Sequence, residues 1–173
     1  MKLLLFCLCC SFQIFSQQFP SSYLGTYSGT MLINSTTGIS DTVAVEFEFL
    51  EQEPDSSWTY KMVFTSSKYG VITKDYLLKS KSKKDTLNYL FDEQNGILME
   101  MSFLNNCLYG MYEVEGNYFI STLRIIDSST LLYDLMISPT TDPLESTYSG
   151  EEQFKVKSYQ PTMQQTVLFK KKE

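Results

Sequence analysis

The chain has 173 residues and a mass of 20.0 kDa, with 43% hydrophobic and 20% charged residues, which suits one folded domain with a substantial core. The formal charge of −6 and the isoelectric point of about 4.7 argue against nucleic acid as the main partner. The sequence contains no histidine. Catalytic triads with histidine, Cys–His pairs and histidine-ligated metals are therefore excluded.

The first sixteen residues, MKLLLFCLCCSFQIFS, have the pattern of a secretory signal peptide. One lysine precedes about a dozen apolar residues, whereas a membrane span needs roughly 20, and Ser16 is a small residue at the expected cleavage point. We therefore expect export to the periplasm or the extracellular space. Residues 17–173 form the expected mature domain, without a transmembrane span. A lipoprotein is the less favoured alternative, because a bulky residue or another cysteine precedes each of Cys7, Cys9 and Cys10.

The rest of the chain alternates between apolar and polar residues with a period of two, which predicts β-strands. Clear examples cover 43–49, 58–64, 97–103 and 131–137. Turn signals at Asn95-Gly96, Asn105-Asn106, Gly116-Asn117 and 127–129 recur about every ten residues. This spacing predicts an antiparallel meander over residues 84–137.

The last third of the chain contains a long predicted loop, 138–150, followed by strands near 152–159 and 164–171. The total is about ten strands, and a flat sheet of that size would expose two edges and a wide apolar face. An all-β fold with a single antiparallel up-and-down barrel resolves both problems. A two-sheet β-sandwich is the alternative.

The opening strand and the order of strands resemble the lipocalin-like and fatty-acid-binding barrels of the calycin group. Gly25-Thr26-Tyr27 is similar to the Gly-x-Trp opening of those families, with Tyr27 in place of the tryptophan. The final strand, 165–170, fits the same plan. The resemblance implies a barrel that binds a small apolar or amphipathic molecule. In this group an arginine often packs across the opening ring or meets a ligand carboxylate, and Arg124 is the only arginine in this chain.

Large aromatic and methionine side chains dominate the predicted inner face, and such walls suit an apolar ligand. The same side chains could instead form a solid core. The candidate ligand-binding residues are Tyr27, Phe47, Phe49, Trp58, Tyr60, Met62, Phe64, Met99, Met101, Phe103, Tyr112, Arg124 and Tyr133. Ile97 is expected on the same inner face.

The direction of Arg124 stays open, because both faces of its strand are partly apolar. It would either hold a ligand carboxylate or pair with Glu113, Glu115 or a terminal carbonyl at the barrel end. Tyr112 is a second candidate for orienting a polar head group.

Two other functions remain open. A solid-core barrel or sandwich would act as a protein- or glycan-interaction module through exposed tyrosines, with Tyr23, Tyr69, Tyr76 and Tyr148 as candidates. An enzyme would need two converging acids. The pairs Glu46/Glu48 and Glu113/Glu115 are expected on a solvated face, so only Glu100 or Asp134 beside another buried acid would support catalysis. We expect no catalytic residue, metal or cofactor, and Cys107 is expected to be a small buried or half-buried residue.

Overall fold

The structure is a computed structural model that describes residues 18–82, 85–150 and 153–173. The predicted signal peptide and its cleavage point lie outside the described residues. Ten of the described strands form one closed antiparallel barrel; of three shorter strands, one pairs with a barrel strand and two form a separate sheet. The barrel strands are β1 (Gly25–Ser35), β2 (Ser40–Phe49), β4 (Ser57–Ser66), β5 (Gly70–Ser80), β6 (Asn88–Asp92), β7 (Leu98–Leu104), β8 (Cys107–Val114), β9 (Asn117–Asp127), β10 (Thr130–Pro139) and β13 (Met163–Lys171). The additional strands are β3 (Glu51–Glu53), β11 (Leu144–Thr147) and β12 (Lys155–Ser158).

The barrel closes where β13 pairs with β1 and where β2 pairs with β4. Strands β4 to β10 pair consecutively, β13 lies between β10 and β1, and β2 pairs with both β1 and β4. The β2–β4 ladder joins Phe47 to Met62 and so completes the ring. Closure removes the free edges of a flat sheet, so the predicted all-β barrel and its meander are confirmed and the two-sheet sandwich is excluded.

Alternation of side chains sets the inner wall, as the sequence pattern predicts. In β2, Val43, Val45 and Phe47 are buried, whereas Ala44 and Glu46 between them are exposed. The inward set joins a continuous apolar core that runs through the barrel. Among the described residues, no helix has the length and apolar character needed to cross a membrane.

Two turns differ from the prediction. Positive φ angles occur at Gln94 and Gly96 rather than at Asn95 and Gly96, so a wider turn places Ile97 outside the strand, and its side chain is 51% exposed. The expected inward position of Ile97 is therefore wrong. The β8–β9 turn has positive φ at Glu115 and Gly116, one residue earlier than expected, whereas the Asn105-Asn106 turn has positive φ at both residues as predicted.

The segment between β10 and β13 leaves the barrel as a separate hairpin. Strands β11 and β12 pair only with each other in a two-stranded sheet, with Leu144 opposite Ser158. The strand expected near 152–159 is therefore shorter than predicted and is not part of the barrel. Part of the loop expected over 138–150 forms its partner strand.

Residues 18–24, which precede β1, close one end of the barrel, which we call the closed end. A short 3-10 helix, Ser21–Tyr23, precedes β1, so the first strand begins at Gly25 and not at Tyr23. The Phe19 ring stacks on Phe103 with 4.1 Å between centroids and meets Tyr89 edge-on at 5.5 Å. The Tyr27 hydroxyl donates a 2.6 Å hydrogen bond to the Tyr23 carbonyl. Tyr23 is buried, so it cannot act as the exposed tyrosine that the surface-module alternative required.

Candidate ligand cavity

The other half of the barrel encloses a cavity of about 340 Å³. This volume is at the lower end of the range for small-molecule pockets, about 300–1,000 Å³. The cavity lies toward the β4–β5, β6–β7 and β8–β9 turns, and exposed Lys74 and Val114 border it there, so we call this end the mouth. The lining residues are Tyr60, Met62, Phe64, Lys74, Tyr76, Phe91, Glu93, Met99, Met101, Tyr112, Val114, Phe119, Ser121, Tyr133, Leu135, Ile137 and Gln165.

Strand register explains why these side chains share one space. Residues directly opposite each other in neighbouring strands point to the same face of a sheet. Tyr60 on β4 pairs with Tyr76 on β5, and two residues farther toward the mouth Met62 pairs with Lys74. The wall therefore changes from a pair of tyrosines to a methionine beside a lysine over one step along the two strands.

Ring packing holds the apolar part of the wall. The Phe91 ring meets Tyr60 edge-on with 4.5 Å between centroids and Tyr76 at 5.1 Å, and Tyr112 stacks on Phe119 at 5.5 Å. Such aromatic contacts contribute about 0.5–1.5 kcal/mol per pair beyond burial alone, so these rings are held in place rather than free to turn.

A glycine in the wall makes room for a methionine. Gly110 lies between Met101 on β7 and Ser121 on β9 in the ladders. A Cβ at Gly110 would contact the Met101 sulfur and lie 2.9 Å from the Ser121 Oγ. The missing side chain is therefore the space in which the flexible Met101 thioether lies.

Four phenols form the polar part of the cavity. Burial raises the pKa of Tyr60, Tyr76, Tyr112 and Tyr133, and neighbouring phenols or Glu93 raise the pKa further. All four side chains are therefore neutral at physiological pH. The Tyr76 hydroxyl interacts with the Glu93 carboxylate and the Tyr112 hydroxyl with Ser121. Within the described residues, the hydroxyls of Tyr60 and Tyr133 have no hydrogen-bond partner.

Charged side chains occur only toward the mouth in this lining. Lys74 is exposed and lies on β5 on the mouth side of Tyr76, and half-buried Glu93 directly follows the end of β6. Gln165 on β13 adds a neutral amide on the opposite wall, where it pairs with Leu135 and Ile33. The cavity is thus apolar, with neutral hydroxyls inside and a mixed charged rim.

Seven of the thirteen predicted ligand-binding residues line this cavity, and the structure brings these seven together: Tyr60, Met62, Phe64, Met99, Met101, Tyr112 and Tyr133. Five others lie in the packed core outside the cavity: Tyr27, Phe47, Phe49, Trp58 and Phe103. They point inward as expected. They do not line the cavity in this structure, because the closed end is filled by packed rings, with Phe19, Phe47 and Phe169 in contact with Phe49 or Phe47.

Arg124 lies on the outer face of β9. Its Nη2 donates a 3.3 Å hydrogen bond to the Tyr109 hydroxyl on β8, and the side chain is exposed. The partner that the structure shows is thus Tyr109, rather than Glu113, Glu115 or a terminal carbonyl, and the side chain points away from the cavity. The buried neighbours Leu123 and Ile125 occupy the inner face of the strand instead.

Sequence reasoning missed ten lining residues. Tyr76 and Phe91 follow the same period-two pattern and extend the inner face of β5 and β6, so alternation could have found them. Lys74, Glu93, Ser121 and Gln165 carried no such signal, because polar residues on an alternating strand are normally assigned to the solvent face. The remaining four are Val114, Phe119, Leu135 and Ile137.

The carboxylates weighed for catalysis lie outside the cavity. Glu46 forms a 2.5 Å ion pair with Lys172, and Glu48 forms a 3.5 Å ion pair with Lys61. Glu100 is exposed and pairs with Lys81, and Asp134 accepts a 2.8 Å hydrogen bond from Gln164. In the described part of the chain, no group of three or more Cys, Asp or Glu side chains is placed to hold a metal ion.

The fold is similar to several solved barrel structures. An S-type phycobiliprotein lyase from Guillardia theta superposes with a TM-score of 0.60 at 6% identity, covering 88% of this chain and 90% of the lyase. The protein Rv2717c from M. tuberculosis superposes with a TM-score of 0.56 at 12% identity, over 88% of this chain and 94% of its own. A DUF3598-family protein of unknown function from Nostoc punctiforme gives 0.59 at 10% identity, over 88% of this chain and 48% of its own. No family model and no curated protein sequence matches this chain. At these identities the similarity shows the fold, and the ten-stranded barrel fits a lipocalin-like architecture.

Proposed function

We propose that this chain is an exported lipocalin-like protein that binds a small apolar or amphipathic molecule inside the barrel, without catalysing a reaction. The observation that carries the proposal is the 340 Å³ cavity, whose wall combines methionines, phenylalanines and four neutral phenols. Burying apolar ligand surface there would contribute about 25 cal/mol per Å². The barrel fold itself is shared with an S-type phycobiliprotein lyase.

Native mass spectrometry tests this proposal directly. The mature protein is purified from its own secretory route and compared with a solvent-extracted sample. We expect a copurifying molecule of defined mass in the first sample and its loss in the second. An apo mass in both samples, with no thermal shift across a panel of lipids and pigments, would contradict the proposal. The N-terminal residue found in the same spectrum tests the predicted cleavage after Ser16.

A pair of substitutions on one strand separates the cavity from the outer surface. Ser121 on β9 is buried and lines the cavity, whereas the adjacent Thr122 pairs with Tyr109 on the outer face. Ser121→Leu fills part of the cavity and should lower the affinity for the copurifying molecule at least about tenfold. Thr122→Leu adds the same side chain outside and should leave the affinity unchanged.

The β11–β12 hairpin supports a second candidate function as a surface-binding module. Tyr148 and Phe154 stack with 4.9 Å between centroids, although both side chains are more than half exposed. A paired aromatic surface of this kind suits a glycan or protein partner. Glycan retention that Tyr148→Ala abolishes, together with a clean apo mass, would favour this function over the cavity.

A further inference from the structure

The two deepest hydroxyls of the cavity are polar groups that lack a partner. Tyr60 is only 4% exposed, and Tyr60 and Tyr133 both line the cavity. No described residue accepts a hydrogen bond from either hydroxyl. Neither oxygen is fully enclosed by protein, so both face the cavity, where water or a ligand normally satisfies such a group. The cavity therefore presents two O–H donors to its occupant.

The charges around the cavity disfavour a negatively charged head group inside. Glu93 is the only acid among the described residues of the lining, and its carboxylate raises the pKa of Tyr76 and Tyr112, so its field extends to the phenols. A ligand carboxylate at this depth would meet the same repulsion. Lys74, the one cation that the structure describes in the lining, is exposed to water, and Arg124 is on the outer face. Burying an unpaired carboxylate costs several kcal/mol.

On these grounds we propose that the occupant is a neutral, carbonyl-bearing apolar molecule whose oxygen accepts hydrogen bonds from Tyr60 and Tyr133. A carbonyl oxygen has two lone pairs and can accept from both phenols, while the apolar body lies against Met62, Met99 and Met101. This inference rests on the proposed binding function and specifies its ligand class. It separates this cavity from one built for fatty acids, in which a buried cation would meet the carboxylate.

Three naphthalenes of matched shape test the ligand class. Equilibrium dialysis at about pH 8 measures the affinities of 2-acetylnaphthalene, 2-ethylnaphthalene and 2-naphthoate, which carry a neutral acceptor, no acceptor and an anion. We expect the ketone to bind about three- to tenfold more tightly than the ethyl compound, and the naphthoate to bind most weakly.

Phenol deletions assign the effect to the two hydroxyls. Tyr60→Phe and Tyr133→Phe should each reduce the preference for the ketone, and the double variant should bring the ketone and the ethyl compound within about twofold of each other. The affinity for the ethyl compound should not fall in any of these variants. Tyr109→Phe, which removes a hydroxyl from the outer face, is the matched control and should change nothing. Circular dichroism establishes that each variant is folded.

The possible outcomes separate this inference from the proposed function. Equal binding of the ketone and the ethyl compound to the unaltered protein overturns the ligand class but leaves a ligand-binding barrel, and so does tightest binding of the naphthoate. If none of the three compounds binds and no molecule copurifies, both proposals fail together. Because the wild-type comparison alone decides the class, an unstable phenol variant does not remove the test.

Discussion

At the scale of single residues, Gly29 allows a close approach between the paired strands β1 and β13. A Cβ built on this glycine would lie 2.5 Å from the Leu168 carbonyl oxygen and 2.7 Å from a Val167 methyl group. Real Cβ atoms do not approach a backbone oxygen this closely, so any larger residue would force β1 and β13 apart. The glycine therefore stabilises the seam where the chain's first and last strands meet.

Gly29→Ala should lower the free energy of unfolding by about 1–3 kcal/mol, because overpacking at this seam displaces backbone rather than a flexible side chain. Urea denaturation measures the change. Ser28→Ala, at the next position and on the other face of the strand, is the control and should cost little. Equal stability of the Gly29 variant and the unaltered protein would contradict the close approach of β1 and β13 at this position.

Trp58 carries a buried donor without a partner. The side chain is 3% exposed, and its Nε1 is fully enclosed with no hydrogen-bond partner in the described residues, unlike the Tyr60 and Tyr133 hydroxyls, which face the cavity. Trp58→Phe removes that donor but also some ring volume. We therefore expect its free energy of unfolding to stay within about 1 kcal/mol of that of the unaltered protein. Trp58→Ala should lose about 3–5 kcal/mol, because it leaves a cavity. Denaturation followed by circular dichroism distinguishes the two, and a large loss in the phenylalanine variant would point to a hidden partner for the indole.

Alternation predicted which side chains point inward but not how deep they lie. Phe49 and Tyr60 both face the interior, yet Phe49 fills the closed end and Tyr60 borders the cavity. Depth depends on the register between strands that are distant in sequence, and a period-two pattern does not contain that register. Arg124 shows a related limit. Ile120 and Ile126 on its own strand are exposed, so an apolar neighbour does not mark the inner face.

At the scale of elements, the segment before β1 acts as a plug. Phe19 is 5% exposed and contacts rings on β2, β6 and β7, namely Phe49, Tyr89 and Phe103. Sequence patterns do not predict this role, because a short segment without strand or helix periodicity carries no signal. Its burial arises only after distant strands have formed the end that it covers.

Phe19→Ala should destabilise the barrel by about 3–5 kcal/mol, the usual cost of removing a buried phenylalanine ring. Because the plug and the cavity occupy opposite halves, affinity for a cavity ligand should be retained at temperatures where the variant is folded. Thermal denaturation and dialysis measure the two quantities. Gln18→Ala, at an exposed neighbouring position, is the control, and a lost affinity in folded Phe19→Ala would contradict the separation of the two halves.

The hairpins show which local signals are sufficient. Asn105 and Asn106 both tolerate positive φ and form the predicted tight turn. The Asn95-Gly96 signal predicts a hairpin at the right place, but Gln94 takes the other positive φ and widens the turn. The Asp92 carboxylate accepts a 2.7 Å hydrogen bond from the backbone N–H of Gln94 and forms a 2.6 Å ion pair with Lys79. Both contacts favour this wider turn. The ion pair depends on Lys79 of β5, which is outside the β6–β7 turn, so the turn sequence alone does not encode it.

At the scale of the whole molecule, buried phenols link stability to alkaline pH. Burial, followed by a neighbouring charge, raises the pKa of Tyr27 and Tyr89 to about 12, and burial also raises the pKa of Tyr60 and Tyr133. In the unfolded chain these groups ionise near the ordinary value of 10.0. The folded state therefore holds more protons than the unfolded state above that pH.

The free energy of unfolding should accordingly be insensitive to these phenols below about pH 9 and should fall steadily from about pH 10 to about pH 12. Urea denaturation across this range measures the decline, and near-ultraviolet absorbance follows phenolate formation. We expect the buried phenols to ionise only as the protein unfolds. Ionisation of all tyrosines near pH 10 in a folded protein would contradict their burial.

The closed end also contains both ends of the described chain. Phe19 packs there, and the Lys171 and Lys172 amides at the end of β13 bond to the Ser129 and Thr26 carbonyls. A tether attached at either end would therefore leave the mouth facing away from the support. Immobilised on a sensor chip or displayed on a particle by such a tether, the barrel would present its opening to the surrounding solution in a single orientation.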